Sequence, residues 1–158
     1  MVQIAVIGGR NVSDAVLRKA EAVGRLIAER GAVLLCGGLG GVMEAACRGA
    51  RSASGTTVGI LPTPDRKDAN PYVSIVIPTG MGVARNALIV QAADGAVAVG
   101  GSYGTLSEMA FALQKAIPLV SVDSWPIDET VKKCTDPEEA VGWIFEAIRA
   151  KSGIPEKS

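Results

Sequence analysis

The sequence predicts one α/β domain, a parallel sheet with helices on both faces forming three layers. Three observations predict it. Short apolar runs recur without alternation, the mark of strands buried on both sides. Amphipathic stretches with helical spacing separate most of these runs, which gives strand–helix–strand units. Glycine clusters stand just after three of the runs, at 8–9, 37–41 and 100–104. In such sheets ligands bind beyond the C-terminal ends of the strands, and right-handed crossovers bring those ends to one edge.

Residues 2–7 form the first strand and end at Gly8 and Gly9. Ser13 suits the N-cap of a helix in which Val16, Ala20, Val23 and Ile27 share a face, and Gly31 ends it. Residues 32–36 are the second strand, broken by Gly37-Gly38-Leu39-Gly40-Gly41, and 42–50 a short helix. Residues 56–61 and 73–77 are the next strands. The polar, proline-bearing segment 62–71 between them suits a mobile loop over a site. Then follow a helix at 82–93, a strand at 95–99, a helix at 104–116 and a strand at 117–122 that closes the series. Asp136-Pro137-Glu138-Glu139 starts the last helix, with an N-cap, a proline at the first position and a glutamate at the third. Residues 1–152 thus form a single domain without repeats or linkers, and 153–158 a flexible tail.

Composition narrows the function. Hydrophobic residues make up 48% of the 158, enough for a core, and aromatics only 4%, so that core is aliphatic. Sixteen basic and sixteen acidic residues cancel, which argues against a protein held to nucleic acid by charge. The chain has no histidine, which excludes a Ser-His-Asp triad, a Cys-His pair and any histidine-ligated metal site. No metal site is expected. Cys36, Cys47 and Cys134 form no CxxC and read as reduced thiols of a cytoplasmic protein. The N-terminus lacks a signal peptide, and no apolar run approaches the ~20 residues that span a bilayer.

The turn Gly100-Gly101-Ser102-Tyr103-Gly104-Thr105 joins a strand to a helix. Glycines let a ligand approach the backbone, and the helix start offers unpaired N–H groups to an oxyanion. Hydroxyls of Ser102 and Thr105 add donors. The alternative is a tight turn required only for packing. No GK[ST] follows these glycines, so this is not a Walker A loop, and Gly8-Gly9-Arg10-Asn11 is not a GxGxxG fingerprint. A mononucleotide or another phosphorylated ligand fits better than a dinucleotide.

Arg85 and Glu108 fall in the first turns of helices flanking one strand, near the same edge. Arg85 would supply a forked cation for phosphate, or else a surface salt bridge. Glu108, near that cation and a helix N-terminus, is expected to stay ionised and to orient water or stabilise a sugar cation. Thr105 and Glu108 also fit a capping box, a purely structural role. Met43 is expected in the core or the pocket wall, and Cys36 as a buried small residue. The helices at 82–93 and 104–116 are apolar around most of their circumference, which predicts a homodimer through them with the site close by. A homotetramer is the larger alternative.

These residues resemble a family. The segment 80–118, GMGVARNALIVQAADGAVAVGGSYGTLSEMAFALQKAIP, is similar to the Rossmann-like superfamily of the Lonely Guy phosphoribohydrolases, often labelled lysine decarboxylase-like. The resemblance covers nearly the whole chain. Arg85 falls on the family arginine and Asp94 on its aspartate. Gly101, Gly104, Thr105 and Glu108 fall on the PGGxGTxxE loop, and Gly37, Gly38, Gly41 and Met43 on the GGxxGxM stretch. Asn86 stands where the hydrolases have lysine, and Gly100-Gly101-Ser102 replaces Pro-Gly-Gly. Both departures resemble the molybdenum-cofactor-carrier-like branch. The resemblance implies an oligomer that binds molybdenum cofactor, a phosphorylated pterin, or a nucleotide on Gly37, Gly38, Gly41, Met43, Arg85, Gly101, Gly104 and Thr105, to which the reading of the turns adds Gly8, Gly9, Ser102 and Tyr103. No cofactor is required beyond that ligand. The alternative it implies is a nucleoside 5′-monophosphate phosphoribohydrolase with Arg85 and Glu108 catalytic, and not a lysine decarboxylase. Neither a nucleic-acid nor a membrane partner is expected.

Overall fold

The computed structural model describes residues 1–153. Seven parallel strands form one sheet in the order β4-β3-β2-β1-β5-β6-β7. In chain order they are β1 (Gln3–Gly8), β2 (Val33–Cys36), β3 (Thr57–Leu61), β4 (Ile75–Pro78), β5 (Gly95–Val99), β6 (Leu119–Val122) and β7 (Lys132–Cys134). The helices are α1 (Asp14–Glu29), α2 (Val42–Ser52), α3 (Arg85–Gln91), α4 (Tyr103–Lys115) and α5 (Pro137–Ser152). This is the predicted α/β, Rossmann-like architecture, and helices cover both faces.

Each central strand divides its side chains between two cores. Ile4, Val6, Leu34, Cys36, Val97 and Val99 pack with α1, α2 and α5. Ala5, Ile7, Leu35, Ala96 and Ala98 pack with Ile89 and Val90 of α3 and Met109 and Ala112 of α4. Burial on both sides explains the unbroken apolar runs. The chain grows outward from β1 through β2 to β4, then returns to pair β5 with β1 on its other side. The direction therefore reverses between β1 and β5, and right-handed crossovers put α3 and α4 on the face opposite α1 and α2.

Helix starts follow the expected chemistry. The Ser13 hydroxyl accepts the Val16 N–H at 3.3 Å, and the Asp136 carboxylate accepts the Glu139 N–H at 3.1 Å ahead of Pro137. Lys115 closes the end of α3 from the neighbouring helix, donating to the carbonyls of Val90, Gln91 and Ala93. A cation at a helix C-terminus is favoured by the helix dipole as well as by these bonds.

Four expectations need correction. The strand series does not close at residue 122, because β7 pairs with β6 through Val120–Lys132 and Val122–Cys134. Its sequence, Lys-Lys-Cys, carries the charges of an edge strand rather than an apolar run. The helix placed at 82–93 splits into a 3-10 turn (Gly82–Ala84) and the short α3. Gly82 takes a φ of +59°, which breaks the α geometry there. The capping box of α4 is formed by Ser102 and Thr105, with the Ser102 amide donating to Thr105 Oγ1 at 3.3 Å. Glu108 stands a turn further in and caps nothing. Finally, segment 62–71 is anchored at its C-terminal end, while 64–68 stay exposed. The Asn70 amide donates to Gly38 O, and its side-chain amide donates to Leu39 O, both at 2.9 Å. α5 ends at Gly153 with a φ of +64°, and the predicted tail beyond it lies outside the described residues. Among the described residues no helix is long and apolar enough to cross a membrane.

Candidate functional site

The three glycine turns converge at the C-terminal edge of the sheet, where strand order reverses between β1 and β5. They surround a cavity of about 330 Å³. Its walls are Gly8 and Arg10 after β1, Leu39 and Met43 around the start of α2, and Pro62 after β3. Gly82, Val83, Arg85 and Asn86 come from the entry to α3, and Ser102, Gly104, Thr105 and Glu108 from the entry to α4. Of the predicted site residues, Gly8, Met43, Arg85, Ser102, Gly104, Thr105 and Glu108 meet here. Gly9, Gly37, Gly38, Gly41, Gly101 and Tyr103 do not line the cavity. Asp94 sits at the opposite edge, where its carboxylate accepts the Gln3 N–H at 2.8 Å.

The glycines divide by what they make room for. A Cβ on Gly37 would stand 2.6 Å from Arg85 Nη1 and 2.7 Å from Met43 Sδ. A Cβ on Gly41, whose φ is +67°, would stand 2.5 Å from the Arg10 Cα. Gly37 makes room for the Arg85 guanidinium, and Gly41 lets the main chain of Gly9 and Arg10 pass close by. A Cβ on Gly8 would strike Val42 and the Val99 carbonyl, each at 2.5 Å, so packing alone requires that glycine. Gly104 is different. A Cβ there meets nothing closer than Asn86 Nδ2 at 3.7 Å. The protein leaves open a space that a side chain would fill, and it lies in the first turn of α4. The N–H groups of Tyr103 and Gly104 have no intrahelical acceptor in that turn.

Arg85 is buried, and most of its guanidinium is committed to the main chain. Nη1 donates to Gly37 O at 2.6 Å and to Ile60 O at 2.5 Å, and Nε donates to Asn86 Oδ1 at 3.1 Å. It ties the turn after β2 to the end of β3, and only Nη2 is left without a protein acceptor among the described residues. Desolvation holds its pKa below the usual arginine value, partly offset by the charge of Glu108. Asn86, in turn, donates to Ser107 Oγ at 3.2 Å and so links α3 to α4.

Glu108 is 7% exposed and has no hydrogen-bond partner among the described residues. It also makes no ion pair with Arg85. Burial pushes its pKa up to about 8, against the opposing pull of Arg85. Against the expectation of an ionised carboxylate, burial favours its neutral form, because desolvation outweighs a cation that does not reach it. Sequence reasoning missed Arg10. Among the described residues it forms no ion pair or side-chain hydrogen bond, so it is the freer of the two cavity cations. Its signal was its place directly after Gly8 and Gly9 at the end of the first strand.

The cysteines stay out of the cavity. Cys36 Sγ accepts the Gly38 N–H at 3.3 Å and lies 3.4 Å from Cys47 Sγ in the core. Among the described residues no group of three or more Cys, Asp or Glu stands close enough to hold a metal ion.

Comparison with known proteins agrees with this geometry. An uncharacterized protein of Archaeoglobus fulgidus is 45% identical over 146 residues, covering 92% of this chain and 95% of the relative. The structure of a molybdenum cofactor binding protein from Rippkaea orientalis superposes with a TM-score of 0.88 at 35% identity, covering 93% of this chain and 97% of the other. A Moco carrier protein from Chlamydomonas reinhardtii superposes at 0.86 with 33% identity, covering 95% and 98%. Residues 1–148 match the model of the SLOG cluster4 family, and the chain belongs to that family.

Proposed function

We propose that this protein binds and carries a phosphorylated small molecule, with molybdenum cofactor as the first candidate and a nucleotide as the second. The observation that carries this reading is the open space at Gly104, set against the unpaired amides of the first α4 turn. A phosphate placed there accepts from those amides and faces the positive end of the helix dipole. Arg10 closes on it from across the cavity, and Arg85 Nη2 adds a donor. Glu108 in its neutral form does not repel the anion. Two relatives described as binding or carrying molybdenum cofactor, at 35% and 33% identity, support the choice of ligand.

The residues present fit such a ligand at its phosphate. No cysteine lines the cavity, so this chain would offer the metal no thiolate there. A second copy of the chain packing on α3 and α4 is part of the reading. Leu88 and Phe111 stand 38% and 39% exposed on those helices. Val83, at 85%, belongs both to the cavity wall and to this apolar face.

The alternative, phosphoribohydrolase activity, draws on Arg85 and Glu108 sharing one cavity. Carriage is the better reading because relatives described as binding or carrying molybdenum cofactor stand at 35% and 33% identity over nearly the whole chain. The test is incubation with AMP and with isopentenyladenosine monophosphate, followed by chromatography for free base. Saturable binding without product supports the carrier. Release of base that is lost in Glu108→Gln supports the hydrolase and overturns it.

A further inference from the structure

Aromatic residues are only 4% of the chain, yet two of them stand together at the N-terminus of α4. Tyr103 is 82% exposed and belongs to neither core. Trp125 reaches it from the connection between β6 and β7. The two rings stack with centroids 5.9 Å apart and planes 24° from parallel. The indole N–H of Trp125 donates to Ser102 O at 3.0 Å, which satisfies its one donor and fixes the ring. Gly101 admits this arrangement, since a Cβ there would stand 3.1 Å from Trp125 Cδ1 and Nε1. Packing does not account for Tyr103, because a side chain so exposed buries little area. Its face turned away from Trp125 is open to solvent, on the same helical turn whose amides border the cavity.

We infer that the Tyr103–Trp125 stack is a platform for a planar heteroaromatic ring, of the pterin or purine class, joined to the phosphate seated at Gly104. Trp125 holds Tyr103 in place, and the ring lies on the free face of the phenol. This rests on the phosphate reading above. It adds what that reading leaves open, which is how the ring half of the ligand is told from a bare sugar phosphate. Stacking suits this task because it favours flat π-systems and ignores their edge pattern.

The experiment uses Trp143→Phe as background, so that Trp125 is the sole tryptophan. Trp125 fluorescence and calorimetry are followed as GMP, 6-hydroxymethylpterin phosphate and ribose 5-phosphate are added. Tyr103→Ala should weaken the two ring-bearing ligands about tenfold and leave ribose 5-phosphate unchanged. Tyr103→Phe should keep their affinity. If all three ligands bind and Tyr103→Ala changes none of them, or weakens ribose 5-phosphate equally, the platform is overturned while the phosphate site stands. If none of the three binds the parent protein, the phosphate reading fails and the platform with it. Tyr103 is so exposed that its truncation leaves folding intact, which an unchanged melting temperature checks.

Discussion

The two faces of the sheet are built to different ends. On one, α1 and α2 meet backbone to backbone through small residues. A Cβ on Gly24 would stand 1.9 Å from Ala46 O, and one on Gly49 would stand 1.9 Å from Glu21 O. Among the described residues no charged side chain is buried there. On the other face, α3 is only seven residues long, Leu88 and Phe111 reach solvent, and Arg85 and Glu108 are buried without pairing. The first face holds the fold together. The second carries electrostatic cost at the rim where the strand order reverses, as expected where function and stability compete. Because the sheet is shared, the first face can bear the cost of the second.

The largest effect that sharpens this contrast is at α1–α2. Gly24→Val forces two backbones apart and should cost more than about 3 kcal/mol, read from denaturant unfolding. Tolerance of that change would mean the tight face is not the stabilising one.

Glu108→Gln should act in the opposite direction. The carboxyl loses its proton near 4.5 when unfolded but only near 8 when folded. Between those values the unfolded chain binds fewer protons, so the wild-type protein loses stability as pH rises through that window. The neutral amide escapes this cost. It should be more stable than wild type by about 3 kcal/mol at pH 7 and nearly equal to it near pH 4.5. Equal melting curves at both pH values would place Glu108 in a solvated or paired setting. The same proton governs binding: affinity for a phosphorylated ligand should fall as pH rises past 8, and Glu108→Gln should flatten that fall.

Arg10→Ala should weaken such a ligand by about tenfold and leave stability unchanged, since the side chain has no protein partner among the described residues. Calorimetry beside a melting curve separates the two. A further small change in stability is expected from Phe111→Glu on the exposed face. It should shift sedimentation from dimer to monomer while unfolding stays within about 0.5 kcal/mol of the parent. A parent that sediments only as monomer at micromolar concentration removes the predicted interface.

What the sequence showed and hid follows from the same contrast. Strands buried on both sides announced themselves as apolar runs, and their glycine ends marked the edge where the cavity lies. The edge strand Lys132–Cys134 was invisible because an edge needs charge and not apolarity. Not every predicted glycine lines the cavity: Gly9, Gly37, Gly38, Gly41 and Gly101 stand outside its walls. Gly37 is small so that the Arg85 guanidinium fits, and Gly41 so that the main chain at Gly9 and Arg10 can pass, roles set by residues far away in the chain. Glu108 was misread because Thr105 at the preceding turn offered a local partner. Ser102 took the cap instead and left the carboxyl to the cavity. Its raised pKa comes from burial by several elements, which no local pattern encodes.

The central claim is that an anionic ligand sits against the first turn of α4 in the space Gly104 leaves open. Titration calorimetry of 6-hydroxymethylpterin phosphate and AMP against the parent and Gly104→Val tests it directly. Saturable binding of at least one ligand by the parent is expected, with a loss of about a hundredfold in the variant and a melting temperature changed by less than about 4 °C. Undiminished affinity in a folded Gly104→Val protein would contradict the account.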